Sequence, residues 1–294
     1  VTCQEVIDFA NSSGDWNPIH HDKEISRRYI TEKPISHGIL TLLKVLNEYS
    51  CTKQVHFLSL KCNFILPIYP DLEYKLCSDS ISIESDNLYL FSNKILVFNC
   101  NLKYDYEKIE SKHKIIYKEP QKSIPLNPSF KDLKDSKGNL HLLIKSNFIE
   151  TNFSSLIKSN SIHSLVSLIS TSRLVGMVCL GFNSLYSSLS VSFTQNLSYK
   201  YLHWNVISTS RKILPINIIF KSSGLEGSLK TFYREELVNQ LSIKQLKTKV
   251  KIKEFSVKNI LVIGASRGLG ELTAKLLSMR KANLTLTFNK GNKD

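Results

Sequence analysis

One segment restricts the fold of this 294-residue chain more than any other. Residues Pro34–Tyr49 carry apolar side chains around nearly the whole circumference of a helix, and the adjacent pairs Ile39-Leu40 and Leu42-Leu43 cannot share one face. A helix that is apolar on every side must be surrounded by other elements. We therefore expect this helix to be buried, with further structure wrapped around it.

The residues that follow have the alternation of antiparallel strands. In Leu58–Phe64 the apolar side chains of Leu58, Leu60, Cys62 and Phe64 alternate with polar ones, which is the period of a half-buried strand. Further strand-like runs are Leu72–Ser78, Asn87–Phe98 and Cys100–Tyr106. A short helix at Glu5–Ala10, one buried helix and several long strands predict an α+β unit over residues 1–110.

A second segment, residues 111–250, repeats this order after a Lys-, Ser- and Pro-rich connection. An apolar helical stretch at Ile162–Met177 precedes strand-like runs at Ser184–Phe193, Asn205–Ser210 and Ile216–Ser222. We interpret it as a second copy of the first unit, although the two copies share little residue-level similarity. Ser172 and His163 on its helix receive no role, because polar residues at helix edges are common.

The first region also contains a cluster of residues suited to acid–base chemistry. Asp15 and His20 lie five residues apart, and Pro18 between them argues against a continuous helix, so both side chains can project from one loop. A polar turn would explain this segment equally well if it stood alone. However, His37 and Gly38 mark the start of the buried helix, where N–H groups lack partners and the dipole is positive.

Several short segments of the first region together match a known family. They are Phe9-Ala10, the Asp-x-Asn-Pro-x-His run of Asp15–His20 followed by Asp22, the run Ser36–Leu40, Phe64 with Leu66-Pro67, and Pro70-Asp71. Over about residues 1–108 the chain resembles the MaoC-like (R)-specific enoyl-thioester hydratases. The resemblance implies a hot-dog fold, a long helix wrapped by an antiparallel sheet. It implies further that the second region is a degenerate second half, which widens the cavity for the acyl chain, so that the whole is a double hot-dog.

The resemblance also implies roles for individual residues. Asp15 and His20 would form the catalytic dyad, because adding water to a 2-enoyl thioester moves one proton at the water and one at Cα. The N–H of Gly38 would stabilise the negative charge on the thioester oxygen, and a glycine there lets the substrate approach the backbone. Asn17 would order the loop, and His37 is expected to be structural. The reaction implies no cofactor and no metal.

The third region, residues 251–294, has the order strand, glycine-rich turn, helix, strand. Asn259–Ile263 precedes the turn Gly264–Gly270, and Glu271–Met279 and Asn283–Phe288 follow it. This order predicts a dinucleotide site in which a pyrophosphate lies at the helix N-terminus. We expect five residues of this segment to contact the dinucleotide: Gly264, Ser266, Arg267, Gly268 and Gly270.

The spacing Gly-x-x-x-Gly-x-Gly resembles the short-chain dehydrogenase/reductases. Arg267 and the missing acidic residue after the second strand favour NADP over NAD. The Tyr-x-x-x-Lys motif of that family is absent from these residues. We therefore expect a truncated α/β Rossmann-type segment that cannot by itself transfer hydride, with NADP(H) as the cofactor of the complete reductase.

Composition restricts the partners and the location. The net charge is +14, but the basic residues are scattered among Glu, Ile and Val, which argues against nucleic-acid binding and suits an anionic partner. The six cysteines form no metal-ligand spacing and indicate a reducing, cytoplasmic compartment. Leu165–Phe182 contains too many polar residues to predict a membrane span. A homodimer is compatible with the fold.

The sequence thus predicts an (R)-specific 3-hydroxyacyl-thioester dehydratase or 2-enoyl-thioester hydratase of fatty-acid or polyketide-type metabolism, followed by the start of a ketoreductase. The substrate would be an acyl-CoA or an acyl carrier protein thioester. The alternative is a module without chemistry, which binds acyl thioesters and presents them to an NADP-dependent short-chain reductase.

Overall fold

The computed structural model of the chain describes residues 1–29, 31–106, 117–197, 200–208, 215–234, 240–250, 259–279 and 282–288. They belong to two compact units. The first consists of residues 1–23 and 33–235, and the second of residues 24–32 and 236–294. Residues of both predicted copies lie in the first unit, because their strands join in one sheet.

Both units are built from the following elements. The α-helices of the described residues are α1 (Cys3–Ser13), α2 (Lys23–Ser26), α3 (Gly38–Thr52), α4 (Phe148–Asn152), α5 (Ser154–Ser159), α6 (Ile162–Arg173), α7 (Ile243–Lys249) and α8 (Gly268–Ser278). The strands are β1 (His56–Phe64), β2 (Lys75–Ser82), β3 (Ser85–Ser92), β4 (Ile95–Asp105), β5 (Lys137–His141), β6 (Ser184–Phe193), β7 (Tyr201–Ser208), β8 (Ile216–Ser222), β9 (Leu225–Tyr233), β10 (Asn259–Ile263) and β11 (Asn283–Thr287). Short 3₁₀ turns lie at Pro18–His20, Phe130–Leu133 and Gly181–Asn183, and a π-helical turn, Leu174–Cys179, continues α6.

The first unit contains one antiparallel sheet of nine strands among the described residues, in the order β2-β3-β4-β1-β6-β9-β8-β7-β5. From the centre outward, β1-β4-β3-β2 and β6-β9-β8-β7 have the same order relative to the chain. The two sets join where β1 pairs with β6, for example at Lys61 opposite Ser190. Each set therefore follows its own helix, α3 or α6.

Helices α3 and α6 lie in the core of the first unit. Ile39, Leu42, Leu43 and Leu46 of α3 have no exposed surface, as its all-round apolar sequence requires. Every residue of α6 from His163 to Arg173 is buried, and α3 packs against both α5 and α6. The predicted α+β architecture of helices and antiparallel strands is confirmed.

By length and composition, Ile162–Cys179 is the one helical segment of the described residues that could cross a membrane. In the folded chain 89% of this segment is buried inside the protein, as is usual for the central helix of a folded domain. Its hydrophobicity is thus accounted for by packing within the first unit.

Two of the predicted strand patterns are corrected by local backbone geometry. The predicted strand Asn87–Phe98 is a hairpin, because Asn93 and Lys94 both adopt positive φ angles, 45° and 71°, and turn the chain between β3 and β4. In β1 a bulge between Phe57 and Ser59 shifts the register, so that Leu58 is 42% exposed whereas Phe57 is fully buried.

Other predicted strands differ in their bounds. β2 begins three residues later than the predicted start at Leu72, and β7 begins at Tyr201 rather than Asn205. The end of the predicted run at Ser210 lies outside the described residues. The sequence analysis assigned no strand to β5 or β9, although β9 pairs with both β6 and β8 near the sheet centre.

The second unit contains the predicted strand–turn–helix–strand order. β10 and β11 pair in parallel, with Asn259 opposite Asn283 and Ile263 opposite Thr287. Helix α8 begins at Gly268, inside the predicted turn rather than after it. Leu261 and Ile263 of β10 remain 57% and 79% exposed.

Candidate active site

A short loop between α1 and α2 carries Asp15 and His20. Helix α1 ends at Gly14, which has a φ of 76° and donates its N–H to the carbonyl of Ala10. Asn17 then begins a 3₁₀ turn, since its side-chain oxygen accepts the N–H of Ile19 at 3.2 Å. The turn separates the two side chains as the position of Pro18 predicted, with Asp15 before it and His20 at its end.

Two hydrogen bonds join this loop to the segment before α3, and a third joins that segment to Ile68. The N–H of Ile35 donates to the carbonyl of Ile19 at 3.2 Å, and that of Ser36 to Ile68 at 2.7 Å. The Nε2–H of His37, the residue preceding α3, donates to the carbonyl of Asp15 at 3.0 Å. The loop and the free N–H groups of the first helical turn are thereby held side by side.

His20 is held as a neutral imidazole. Its Nδ1 lies 2.9 Å from the carbonyl of Ile35, so Nδ1 carries the proton and Nε2 keeps its lone pair. Its ring stacks on that of His37 with 3.7 Å between centroids and 26° between planes. Burial lowers the pKa of His20 to about 3, because a charged imidazolium would lose its hydration.

Asp15 is buried, with 2% of its surface exposed. Burial raises the pKa of its carboxyl to about 7, although three groups oppose this shift: the Ser172 hydroxyl, the Asn17 N–H and the charge of Arg173. The Ser172 Oγ donates to Asp15 Oδ2 at 2.6 Å, and the Asn17 N–H to Oδ1 at 3.3 Å. At neutral pH the carboxyl is therefore present in both protonation states.

Asp15, His20 and His37 each place a potential metal-ligand atom within 4.8 Å of the others. Their hydrogen bonds fit an acid–base site better. One ring nitrogen of each histidine already donates to a carbonyl. Burial also holds the pKa of His37 well below its usual range.

Asp15 and His20 open onto a single cavity of about 110 Å³. Its polar lining also includes Ser36, Thr41 and Tyr186, and its apolar lining includes Phe64. Gly38, the first residue of α3, lies in the same wall. The family resemblance implies that substrate approaches this glycine. In the structure the Phe64 ring fills the space beside it, 3.1 Å from where a side-chain carbon would stand.

Residues of α6 and of the turns after it also contact the loop of Asp15 and Asn17. Ser172, to which no role was given, hydrogen bonds to Asp15. Asn17, expected to order the loop, also has distant partners: its side-chain NH₂ lies 3.0 Å from the carbonyl of Gly176 and 2.8 Å from that of Gly181. A serine or glycine inside an apolar helix gives no local signal of such a contact.

The predicted nucleotide-binding residues lie together in the turn of the second unit. Gly264 and Gly268 have φ angles of 77° and 60° and open space beside them. At Gly270 a side-chain carbon would come within 2.1 Å of the Gly264 carbonyl, so only glycine allows this helix to start so close to the turn. Ser266 is exposed. The Arg267 guanidinium donates to the Arg27 carbonyl at 2.6 Å.

Comparison with known proteins connects this site to one family. Residues 1–77 match the family described as MaoC like domain. A stretch of 62 residues is 37% identical to the peroxisomal multifunctional enzyme type 2 of Mus musculus, and this match covers 20% of the chain and 8% of the mouse protein. The chain thus spans a small part of that relative. The N-terminal part of the chain, which contains Asp15, His20 and Gly38, is MaoC-like in sequence.

Two solved structures illustrate the range of similarity. A MaoC-like dehydratase is 9% identical, with a TM-score of 0.50, and the match covers 80% of this chain and 95% of that one. The acyl-CoA thioesterase II TesB2 from Mycobacterium marinum is 8% identical with a TM-score of 0.42, and this match covers 68% and 89% of the two chains. The fold of antiparallel sheet and helices is shared with that MaoC-like dehydratase.

Proposed function

We propose that this chain is an (R)-specific 2-enoyl-thioester hydratase, which in the reverse direction dehydrates 3-hydroxyacyl thioesters. The observation that carries the proposal is a pair of titratable groups in one cavity, shifted in opposite directions. The pKa of Asp15 is raised to about 7 and that of His20 lowered to about 3, both by burial. Such a pair, beside free N–H groups, suits a reaction that gives one proton and takes another.

Hydration would proceed as follows. The lone pair of His20 Nε2 accepts a proton from water as the water oxygen bonds to C3 of the enoyl group. Protonated Asp15 gives its proton to C2. The resulting imidazolium and carboxylate stabilise one another until the proton returns from His20 to Asp15. The negative charge that develops on the thioester oxygen would be stabilised by the Gly38 N–H at the start of α3.

The direct test is incubation of the protein with crotonyl-CoA, followed by loss of the conjugated enoyl absorbance. We expect absorbance to fall with no release of free thiol, and (R)-3-hydroxybutyryl-CoA, not the (S) form, to be dehydrated. Thiol release would indicate thioester hydrolysis instead. Binding of the acyl-CoA without turnover would favour the non-catalytic binding module. Either result would contradict the hydratase assignment.

The double hot-dog is part of this proposal. Two helices, each followed by four strands in the same order, support it. Use of acyl carrier protein in place of coenzyme A is tested by the same assay with a crotonyl-carrier substrate. A homodimer and a cytoplasmic location stay predictions, and light scattering on purified protein tests the former.

We also propose that the second unit holds the start of an NADP-binding Rossmann-type fold belonging to a short-chain reductase. The parallel strands β10 and β11 on either side of α8, with glycines at positive φ before the helix, support it. A doubly wound sheet needs more strands than this pair, and the exposed Leu261 and Ile263 mark an uncovered face.

For this reason we expect weak or undetectable NADPH binding by these 294 residues in calorimetry. A longer protein that adds a reductase core should bind NADPH in preference to NADH. Tight NADPH binding by the present chain would show that its cofactor site is complete.

A further inference from the structure

Helix α6 and its π-helical continuation lie directly against the carboxyl of Asp15, although they belong to the copy that lacks the Asp-x-Asn-Pro-x-His motif. The Ser172 hydroxyl donates to Asp15 Oδ2 at 2.6 Å across a separation of 157 residues. Both residues are buried, at 4% and 2% exposure. A hydrogen bond between buried groups, one of them ionisable, is stronger and more directional than one at the surface.

One helical turn later, Gly176 makes room for the other carboxyl oxygen. A side-chain carbon at this position would stand 2.2 Å from Asp15 Oδ1, far inside van der Waals contact. Gly176 lies in the π-helical turn Leu174–Cys179, and such turns are frequent at functional sites. Its carbonyl also accepts the side-chain NH₂ of Asn17 at 3.0 Å. The carboxyl thus lies against one face of this helix, where Ser172 hydrogen bonds to one oxygen and Gly176, four residues later, leaves space for the other.

The charged and titratable groups around this carboxyl come from three elements. His37, before α3, places Nε2 4.0 Å from Asp15 Oδ2, and His20 of the loop stacks on His37. Arg173, at the end of α6, is buried with its guanidinium bonded to the carbonyl of His141. Burial lowers the pKa of this arginine to about 10, so it stays charged at neutral pH. Ser172 is the one described side chain within hydrogen-bond distance of the carboxyl.

We propose that Ser172 is a positioning residue of the acid–base site, so that the motif-free second copy sets the orientation and the protonation of the catalytic carboxyl. This proposal rests on the hydratase function proposed above. A hydroxyl that donates to the carboxyl favours its ionised form and fixes which oxygen faces the cavity. The second copy then does more than enlarge the acyl cavity.

The first test compares Ser172→Ala with Ser170→Ala on crotonyl-CoA. Ser170 is on the same helix and 1% exposed, and its hydroxyl has no hydrogen-bond partner among the described residues. For Ser172→Ala we expect kcat to fall about tenfold at pH 7 with KM little changed, and the Asp15 limb of the pH–rate profile to move up by about one pH unit. Ser170→Ala should match the wild type in both.

A second readout does not depend on activity. The folded pKa of Asp15 is raised above its unfolded value, so its contribution to stability is lost as pH rises from about 4 to 7. Without the Ser172 hydroxyl this loss should continue to about pH 8. The difference in thermal midpoint between wild type and Ser172→Ala should therefore widen between pH 6 and 9. When Asp15→Asn is added to both proteins, the difference between their thermal midpoints should not change with pH.

The two readouts separate the possible failures. If the wild type has no activity on crotonyl-CoA, the proposed function fails, and the stability comparison still decides the role of Ser172. If Ser172→Ala resembles Ser170→Ala in the pH dependence of its thermal midpoint, the proposal is overturned. A drop in activity with an unchanged pH profile would also overturn it, since that result indicates a structural role alone.

Discussion

Helix α3 reaches the cavity with its N-terminus, whereas α6 reaches it near its C-terminal end. At Gly38 the first turn of α3 offers N–H groups that have no acceptor within the helix. At Ser172 and Gly176 the other helix has its N–H groups already paired, so it contributes a side-chain hydroxyl and empty space instead. Two helices, each followed by four strands in the same order, thus contribute different groups because they meet the cavity at opposite ends.

A segment without the Asp-x-Asn-Pro-x-His motif thus lies in contact with Asp15. In α3 the buried residues are mostly apolar, and its exposed face carries Glu48 and Cys51. The titratable groups of the site lie in the loop before it. In α6 the buried residues include Ser167, Ser170 and Ser172, and the first of these also hydrogen bonds, to Ser222 and Ser223. Burial of these hydroxyls has a cost in desolvation, which hydrogen bonds offset for Ser167 and Ser172 but not for Ser170.

The largest effect is expected on the α3 side of the comparison. Asp15→Asn and His20→Ala should each reduce crotonyl-CoA hydration at least about a hundredfold, because each removes a positioned proton donor or acceptor. Folding, checked by circular dichroism, should be preserved. If both variants keep near-native rates, the dyad is wrongly assigned and the contrast between the two helices has no catalytic meaning.

The next prediction concerns stability and pH. Asp15→Asn replaces a carboxyl whose folded pKa is about 7 with a group that does not ionise. Wild-type stability should fall relative to the variant as pH rises from about 4 to 7, by on the order of a few kcal/mol in the free energy of unfolding. His20 and His37, whose folded pKa values are lowered, act in both proteins and lower stability below about pH 6.5.

Urea unfolding of wild type and Asp15→Asn at pH 5 and pH 8 measures this difference. An equal difference at the two pH values would mean that the carboxyl is ionised normally in the folded protein. In that case the raised pKa, and with it the acid role of Asp15, would have to be abandoned.

A third prediction compares the two glycines directly. Gly176→Ala places a carbon 2.2 Å from the Asp15 carboxyl, whereas Gly38→Ala places one 3.1 Å from the Phe64 ring. The ring would have to shift by only a few tenths of an ångström, whereas the carboxyl would have to shift further and is held by hydrogen bonds. We expect Gly176→Ala to lower the free energy of unfolding by about 1–3 kcal/mol, and Gly38→Ala by less. The reverse order would contradict the close approach of α6.

The smallest effect is expected from the link between loop and second copy. Asn17→Ala leaves the carbonyls of Gly176 and Gly181 without their side-chain donor, at a cost of about 1–2 kcal/mol. Asn63→Ala is a suitable control, because it removes one hydrogen bond, to Asn99, at a partly exposed site. Thermal unfolding of both should show the larger loss for Asn17→Ala. Equal losses would mean that the link contributes nothing beyond an ordinary surface contact.

Much of the candidate site could be predicted because its parts are close in sequence. The run from Asp15 to His20 contains its own turn-forming residues, and the start of α3 follows within twenty residues or so. The hydrogen bonds that arrange them, such as Asn17 to Ile19, are local as well. The (R)-specificity, the second hot-dog copy and the reductase segment stay proposals, because neither these contacts nor the comparisons test them.

The sequence by itself determined the buried helix, the alternating strands and the loop that carries both titratable side chains, since periodicity and turn residues act over a few neighbours. Only the tertiary structure decided that Ser172 and Gly176 meet Asp15, that Phe64 fills the space beside Gly38, and that Asn93-Lys94 divides one strand-like run into two. The first two are contacts between distant segments, which no local pattern records. The pKa values follow from them, because desolvation depends on everything packed around a group and not on its neighbours in the chain.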